Sequence, residues 1–201
     1  MRIFKELEES YDISLPDKST IVIRADGKNF SKLLKPFGVT DLDHADSMLD
    51  AAIETLKLTQ NFVLAFVQSD EISIILSNED SEKSQPWFGN RIQKITTITA
   101  SSMSVHYSGS MSYYKSKQIV GLFDARTFNI ERKDVINYLK FRIKNGYSNT
   151  ISKVYRFEMG KTDNKTLDTM EYELIENGFF IDSLYKFGTV IIKGDSGFDK
   201  I

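Results

Sequence analysis

Apolar and polar positions recur along the chain with two different periods, and these periods predict its secondary structure. Runs rich in β-branched and apolar residues predict strands at residues 20–25, 61–68, 71–77 and 119–130. Only a few residues separate the second run from the third, which predicts a hairpin. The first run stops at an Asp-Gly pair, where we expect the strand to end.

Apolar residues spaced three or four positions apart, or small residues suited to close packing, predict helices at residues 44–60, 88–107, 131–157 and 166–178. The segment 131–157 contains Asn145-Gly146, a pair that favours a break, so we expect two helices there. Residues 184–194 predict a final strand or hairpin.

The order of these elements is strand, helix, strand, strand, helix, strand, followed by further helix. It is the order of a split βαββαβ unit of the ferredoxin-like type, an α+β fold in which helices cover one face of an antiparallel sheet. We expect residues 1–130 to form this unit. Residues 131–201 would add a helical extension and a C-terminal strand that pack on it, giving a single compact body.

The composition excludes several kinds of chemistry. The 201 residues contain no cysteine, which excludes a disulfide scaffold, a thiolate metal site and a cysteine nucleophile. The only two histidines, His44 and His106, leave little room for a histidine metal site or a Ser-His-Asp triad. We expect His44 to cap the 44–60 helix or to face solvent.

Charge and hydropathy bear on partners and location. The chain has 26 Lys and Arg against 28 Asp and Glu, so its net charge of −2 lacks the basic excess typical of nucleic-acid-binding proteins. No stretch approaches the roughly 18 apolar residues of a membrane span, and the segment MRIFKELEESYD has no apolar core of a signal peptide. We therefore expect no membrane association and a cytoplasmic location.

Acidic residues lie where the predicted strands end. Asp26 follows the first strand, and Asp70 and Glu71 lie in the turn of the hairpin. In a split unit the first and third strands are neighbours, so Asp26 and Asp70 should converge at one edge of the sheet. Two close carboxylates repel each other unless a cation lies between them, and Mg²⁺ prefers such oxygen ligands. Both segments also suit ordinary turns, since Asp and Gly favour turns.

The residues around these carboxylates form two blocks, Arg24-Ala25-Asp26-Gly27-Lys28-Asn29-Phe30 and Gln68-Ser69-Asp70-Glu71. Four weaker blocks follow in order: WFGNRIQK at 87–94, FDAR at 123–126, YLKFR at 138–142 and LYKFGTVI at 184–191. Each block is short, but the ordered set is specific. Together they resemble the tRNAHis guanylyltransferase superfamily, which includes shorter guanylyltransferase-like proteins.

The resemblance implies a polymerase-palm fold and addition of nucleotides to the 5′ end of RNA, in the 3′-to-5′ direction. The implied partners are a tRNA or tRNA-like RNA, ATP or GTP as substrates, two Mg²⁺ ions and three further copies of the chain in a homotetramer. The implied catalytic carboxylates are Asp26, Asp70 and Glu71, with Glu71 as a ligand or a helper. The implied metal ligands are Asp26, Asp70 and the carbonyl of Gly27.

The resemblance also implies residues that contact the substrates. Those that flank the nucleotide and its phosphates are Lys28, Asn29, Phe30 and Ser69. Those that contact triphosphate or RNA phosphates are Arg91, Lys94, Arg126 and Asn149.

One departure from the family pattern favours a particular branch. The tRNAHis guanylyltransferases carry His-Ile-Asn-Asn-Leu-Tyr-Asn-Thr after the Tyr-Leu-x-Trp-Arg helix, where this chain has NGYSNTISKVY at 145–155. Tyr147 stands in place of the His, whereas Asn149 is retained. This departure favours the guanylyltransferase-like branch, for which the resemblance implies template-dependent repair of 5′-truncated tRNAs.

Three alternatives stay open. The first is a tRNAHis guanylyltransferase proper. The second is a nucleotidyl cyclase-type palm enzyme, although the hairpin turn reads SDEIS and not Gly-Gly-Asp/Glu-Glu-Phe. The third is a non-catalytic RNA- or protein-binding module.

Basic residues outside the motifs have two interpretations. Tyr113, Tyr114, Lys115 and Lys117 form a loop that could stack on a base and pair with phosphates. The lysines and arginines of segment 131–157 are interpreted as solvated surface charges, or as strips that an oligomer joins into one RNA groove.

Overall fold

The computed structural model describes residues 2–38, 40–79, 85–160, 165–195 and 197–201. Its strands are β1 (Thr20–Gly27), β2 (Phe62–Gln68), β3 (Glu71–Ser77), β4 (Phe123–Ile130), β5 (Thr189–Gly194) and β6 (Gly197–Lys200). They form one antiparallel sheet in the order β4-β1-β3-β2-β5-β6. The prediction that the first and third strands are neighbours is therefore confirmed.

Seven helices are present in the described ranges: α1 (Arg2–Glu9), α2 (Phe30–Leu34), α3 (Leu42–Leu58), α4 (Ile92–Tyr114), α5 (Val135–Met159), α6 (Leu167–Glu176) and α7 (Ser183–Phe187). Short 3-10 turns precede α4 at Trp87–Asn90 and α5 at Arg132–Asp134. None of the described helices combines the length and apolar character that crossing a membrane requires.

The two faces of the sheet have different partners. Side chains alternate along β1, so Ile21, Ile23 and Ala25 belong to the main core, which α3 and α4 complete. Arg24 and Asp26 project from the opposite face. There α5 lies across the sheet, and its Tyr138 hydroxyl is 2.9 Å from the Ser73 hydroxyl. The α+β antiparallel prediction is confirmed, and the extension supplies the helix of the second face.

Helix α5 is continuous from Val135 to Met159, so the predicted break at Asn145-Gly146 is wrong. The glycine serves close packing instead of a turn. A Cβ atom at Gly146 would lie 1.9 Å from the Gln68 Oε1 atom, so only glycine lets α5 approach the end of β2 this closely.

Other element boundaries also differ from the sequence prediction. Strand β1 continues through Gly27, because the Gly27 amide donates to the Asp70 carbonyl at 2.9 Å. Helix α4 starts and ends later than predicted, and β4 begins at Phe123 and not at residue 119. Residues 183–187 form α7, where the Asp182 side chain accepts a hydrogen bond from the Leu184 amide. Of the segment 184–194, predicted as a strand or hairpin, residues 189–194 form strand β5, whose hairpin partner β6 lies beyond the segment at 197–200.

His44 neither caps α3 nor faces solvent, which corrects the sequence prediction. Asp41 caps the helix by accepting a hydrogen bond from the Asp43 amide at 2.9 Å. The His44 side chain is buried among Phe30 and Tyr107, and its Nδ1 lies 2.9 Å from the Tyr107 hydroxyl. Burial lowers the pKa of His44 to about 4, and the nearby Lys153 charge adds to this effect.

Candidate active site

The two predicted carboxylates meet where β1 ends and the hairpin turns. Asp26 on β1 lies opposite Glu71 on β3, and Asp70 belongs to the Ser69-Asp70 turn that joins β2 to β3. The hydrogen bond between the Gly27 amide and the Asp70 carbonyl fixes β1 against this turn at 2.9 Å. The pairing of β1 with β3 therefore brings Asp26 and Asp70 to one edge of the sheet, as predicted.

A polar cavity of about 390 Å³ contains both carboxylates. One wall is the β1 end and the hairpin turn, including Gln68 and Ser69. The opposite wall is α5, which contributes side chains spaced three, four or seven residues apart: Arg142, Asn149, Lys153 and Arg156. The cavity thus places two acids opposite several cations and hydrogen-bonding groups.

Burial makes the charged form of both aspartates costly. Desolvation raises the pKa of Asp70, and the Lys153 charge partly opposes this rise. Desolvation also raises the pKa of Asp26, where Arg24 opposes the rise and Asp70 and Asp124 add to it. A cation between these two groups would relieve the repulsion.

Glu71 is occupied by two guanidinium groups. Its Oε1 accepts a hydrogen bond from the Arg142 Nε at 2.6 Å, and its Oε2 accepts from the Arg24 Nε at 2.7 Å and also contacts the Arg142 Nη2. The Arg24 Nη2 in turn donates to the Asp26 Oδ2 at 3.0 Å. A chain of charged hydrogen bonds therefore joins α5 to the Asp26 carboxylate.

The α5 wall contains the residues that the sequence interpretation missed. The sequence interprets Arg142, Lys153 and Arg156 as solvated surface charges or as strips of an RNA groove, and the structure has them line the cavity. Asn149, which the resemblance predicts to contact phosphate, lines it with them. The signal was in their spacing, because positions 142, 146, 149, 153 and 156 fall on one helix face. Because a break at Gly146 is expected from the sequence, these positions are not predicted to share one helix face.

Three predicted phosphate contacts lie outside the cavity lining. Arg91 precedes α4 and pairs with Asp12 at 3.2 Å, and Lys94 is exposed on the first turns of α4, which packs on the other face of the sheet. Arg126 on β4 lies opposite Arg24 in register and is 3.9 Å from Asp124. Its charge lowers the pKa of Asp26, so of the three only Arg126 is electrostatically coupled to the site.

The predicted nucleotide-flanking residues take different positions. Ser69 lines the cavity, and its hydroxyl donates to the Asp70 Oδ1 at 3.2 Å. Lys28 and Asn29 are exposed beside Gly27, and Asn29 adopts a left-handed φ of 60° at the start of α2. The Phe30 ring is buried in the core, where a Cβ atom at Gly27 would lie 2.5 Å from it.

The lysines at the end of α4 contact other residues of the chain. Lys115 pairs with Asp41 at 2.5 Å and with Asp43 at 2.7 Å. Lys115 and Lys117 also lie 5.0 and 4.5 Å from the centre of the Phe37 ring. These lysines therefore clamp the segment before α3.

The donor set at the site suits a magnesium ion. Within the described ranges there is no group of three or more Asp, Glu, His or Cys side chains placed to hold a metal ion. Mg²⁺ typically takes only one or two protein carboxylates and completes its shell with water and substrate phosphates. Two partly buried carboxylates with raised pKa values beside the Gly27 backbone fit this pattern.

The chain is similar in sequence to one family of known proteins. A sequence model of the family described as tRNAHis guanylyltransferase matches residues 1–131. The Saccharomyces cerevisiae tRNAHis guanylyltransferase is 27% identical over 153 residues, which are 71% of this chain. The chain spans 62% of the length of that yeast protein.

Solved structures match over most of the chain. A bacterial tRNAHis guanylyltransferase-like protein in complex with ATP has a TM-score of 0.92 at 26% identity, covering 100% of this chain and 90% of its own. The corresponding GTP complex has a TM-score of 0.83 at 24% identity, with coverages of 100% and 89%. The S. cerevisiae tRNAHis guanylyltransferase structure shares the fold at 19% identity, with a TM-score of 0.76 and coverages of 92% and 91%.

Proposed function

The chain belongs to the tRNAHis guanylyltransferase family, and from this premise we propose that it is a nucleotidyltransferase that adds nucleotides to the 5′ end of tRNA or a similar RNA. We propose further that addition runs in the 3′-to-5′ direction and follows a template. The observation that carries this proposal is the convergence of Asp26 and Asp70 in one cavity, opposite the cationic face of α5.

The cationic face of α5 suits the phosphates of a nucleoside triphosphate. Lys153 and Arg156 line the cavity and also line a second, adjoining cavity of about 500 Å³ with Leu34 and Phe157. Phosphates in the first cavity would therefore leave an apolar surface next to them for the base or the ribose. The binding of ATP and GTP by the bacterial relatives supports nucleotides as substrates of this chain.

Asp26, Asp70 and the Gly27 carbonyl would hold Mg²⁺. When bound, Mg²⁺ activates an attacking hydroxyl and neutralises charge on phosphate oxygens. The chain's own residues orient the reacting groups: Arg24 holds the Asp26 carboxylate, and the Ser69 hydroxyl holds that of Asp70. Glu71 acts through Arg24, since both of its oxygens are engaged by arginines.

The guanylyltransferase-like branch is supported by the position of Tyr147. Its hydroxyl donates to Glu171 on α6, and the residue does not line the catalytic cavity. Among the described residues that line the catalytic cavity there is no histidine. Template-dependent repair of 5′-truncated tRNAs is the activity that suits this departure.

A homotetramer is the further expectation from the resemblance. Light scattering on the purified protein should give four times the chain mass of 23.0 kDa. A monomer at assay concentrations would contradict this part of the proposal.

The test uses a tRNA transcript that lacks its first nucleotides, with each NTP supplied separately. The wild-type protein should add only the nucleotide that pairs with the template base. Asp26→Asn and Asp70→Asn should each lower the rate by roughly 100-fold or more, since both remove a charge from the reacting centre.

The control variant is Asp195→Asn, which removes an exposed carboxylate that does not line the cavity. It should add nucleotides at the wild-type rate. Wild-type rates in both Asp26→Asn and Asp70→Asn would overturn the assignment of the site. Formation of a cyclic nucleotide from GTP or ATP without RNA would instead favour the cyclase alternative.

A further inference from the structure

A cleft of about 260 Å³ lies on the side of α5 that faces away from the catalytic cavity. It is lined by Lys140, Ile143, Lys144, Tyr147 and Phe187, the last from α7. Positions 140, 144 and 147 are about half a turn of helix away from Arg142, Gly146 and Asn149, which face the catalytic cavity. The proposed function leaves this cleft without a role.

Two aromatic rings form the floor of the cleft. The rings of Tyr147 and Phe187 are nearly parallel, with an interplanar angle of 13° and centroids 6.0 Å apart. Phe187 is 54% exposed although it is large and apolar. The Tyr147 hydroxyl donates to Glu171, which also accepts from the Lys186 ammonium at 2.5 Å. The aromatic surface is therefore held in place before any ligand arrives.

The rim of the cleft is cationic. Lys140 and Lys144 are exposed and one turn apart on α5. Within the described part of the chain neither forms an ion pair, and no carboxylate lines the cleft. Charge complementarity therefore selects an anion, and the aromatic floor selects a flat, apolar group next to it. A nucleotide combines these two features.

The cleft is connected to the catalytic cavity through Gln68. The Gln68 Nε2 donates to the Lys186 carbonyl at 2.6 Å, next to Phe187, and the Gln68 side chain packs against Gly146, next to Tyr147. Gln68 also precedes the Ser69-Asp70 turn. An RNA whose end occupies the cavity would therefore find this cleft across a single helix, which is about 10 Å wide.

We propose that this cleft binds an unpaired nucleotide of the RNA substrate. Its base stacks on Phe187 and Tyr147, and its phosphates contact Lys140 and Lys144. The inference rests on the proposed function only in taking the bound polymer to be RNA.

The test measures the affinity of a labelled RNA hairpin with and without an unpaired 3′ tail of four nucleotides. Phe187→Ala should weaken binding of the tailed hairpin about tenfold and leave the blunt hairpin unchanged, as expected for a lost base stack. Lys140→Ala combined with Lys144→Ala should weaken binding and reduce the slope of log affinity against log salt by about 1 to 2.

Matched controls do not line the cleft. Tyr11→Ala removes an aromatic side chain that is 73% exposed, and Lys57→Ala removes a cation paired with Glu54. Both should bind the tailed hairpin like the wild type. Equal losses on tailed and blunt hairpins, or no loss in the cleft variants, would overturn the proposal.

The binding readout separates this inference from the proposed function. If the protein adds no nucleotide but Phe187→Ala still weakens tail binding, the proposed function fails and the cleft stands. If nucleotide addition proceeds and the cleft variants bind both hairpins normally, the cleft proposal fails alone. A change in oligomeric mass with unchanged RNA affinity would assign the cleft to a protein interface and overturn the proposal.

Discussion

Glu71 lies between two guanidinium groups, and this placement separates its role from the roles of Asp26 and Asp70. The two aspartates are partly buried carboxylates whose pKa values desolvation raises, so the fold tolerates their charge at a cost. Glu71 instead neutralises Arg24 and Arg142. At the scale of single residues, the site therefore combines two aspartates that could bind a metal cation with one glutamate that is already paired with two arginines.

Replacing Glu71 with Gln should affect both stability and rate. The side chains of Glu71 and Arg142 are each 14% exposed, so the change leaves two largely buried guanidinium groups without their shared anion. We expect a loss of about 3 kcal/mol in the free energy of unfolding, measured by urea denaturation. We also expect a lower kcat, because Arg24 is no longer held against Asp26.

The matched control is Glu131→Gln, which breaks the exposed ion pair with Lys133. It should cost less than about 1 kcal/mol and leave the rate unchanged. Equal losses of stability in the two variants would contradict the role given to Glu71.

His44 gives a pH-dependent stability of known sign. Its folded pKa of about 4 lies below its unfolded value of 6.5, so between these values the unfolded chain binds more protons. Stability contributed by His44 should be present above pH 6.5 and fall as the pH drops towards 4, by up to roughly 3 kcal/mol.

The measurement compares the wild type with His44→Gln by urea denaturation at several pH values. Taking the difference between the two proteins cancels the contributions of the carboxylates. The free energy of unfolding of the variant, relative to that of the wild type, should rise as the pH falls through this range. A difference that does not depend on pH would show that His44 is not buried in the neutral form.

Strands were predictable because β-branched runs and their alternation are local signals. The order of these strands and helices indicates a split unit in which strands one and three are neighbours, and this predicts that Asp26 and Asp70 meet at one edge of the sheet. Helix α5 was not predictable as one element, because Gly146 reads locally as a breaker and its reason lies on β2, in Gln68. For the same reason the sequence does not predict the cationic wall of the cavity, since that wall exists only if helix α5 is continuous.

The packing of α5 on β2 predicts opposite effects for two helical glycines. Gly146→Ala should destabilise the protein, since the added Cβ displaces the buried Gln68 side chain and its hydrogen bond to Lys186. Gly109→Ala in α4 meets no atom within 4 Å and should stabilise by up to about 1 kcal/mol through helix propensity. Urea denaturation of both variants tests this, and equal stabilisation would contradict the close contact.

For the whole molecule, the net charge of −2 does not show that acidic and basic side chains are distributed unevenly over the fold. Glu71 pairs with Arg24 and Arg142, and Asp41 and Asp43 both pair with Lys115. The cations of α5 remain on both of its sides, in the catalytic cavity and at the rim of the cleft. A bulk count therefore underestimates the cationic surface available to the proposed RNA substrate, and the folded arrangement shows where these cations lie.

The direction of chain growth tests the central claim most directly. The substrate is a 5′-truncated tRNA whose 3′ end has been oxidised with periodate, so that this end accepts no nucleotide. With ATP, GTP and Mg²⁺ present, a labelled templated nucleotide should appear at the 5′ end, and Asp70→Asn should abolish this product. Absence of 5′ addition on the blocked RNA, with extension only when the 3′ end is free, would contradict 3′-to-5′ synthesis.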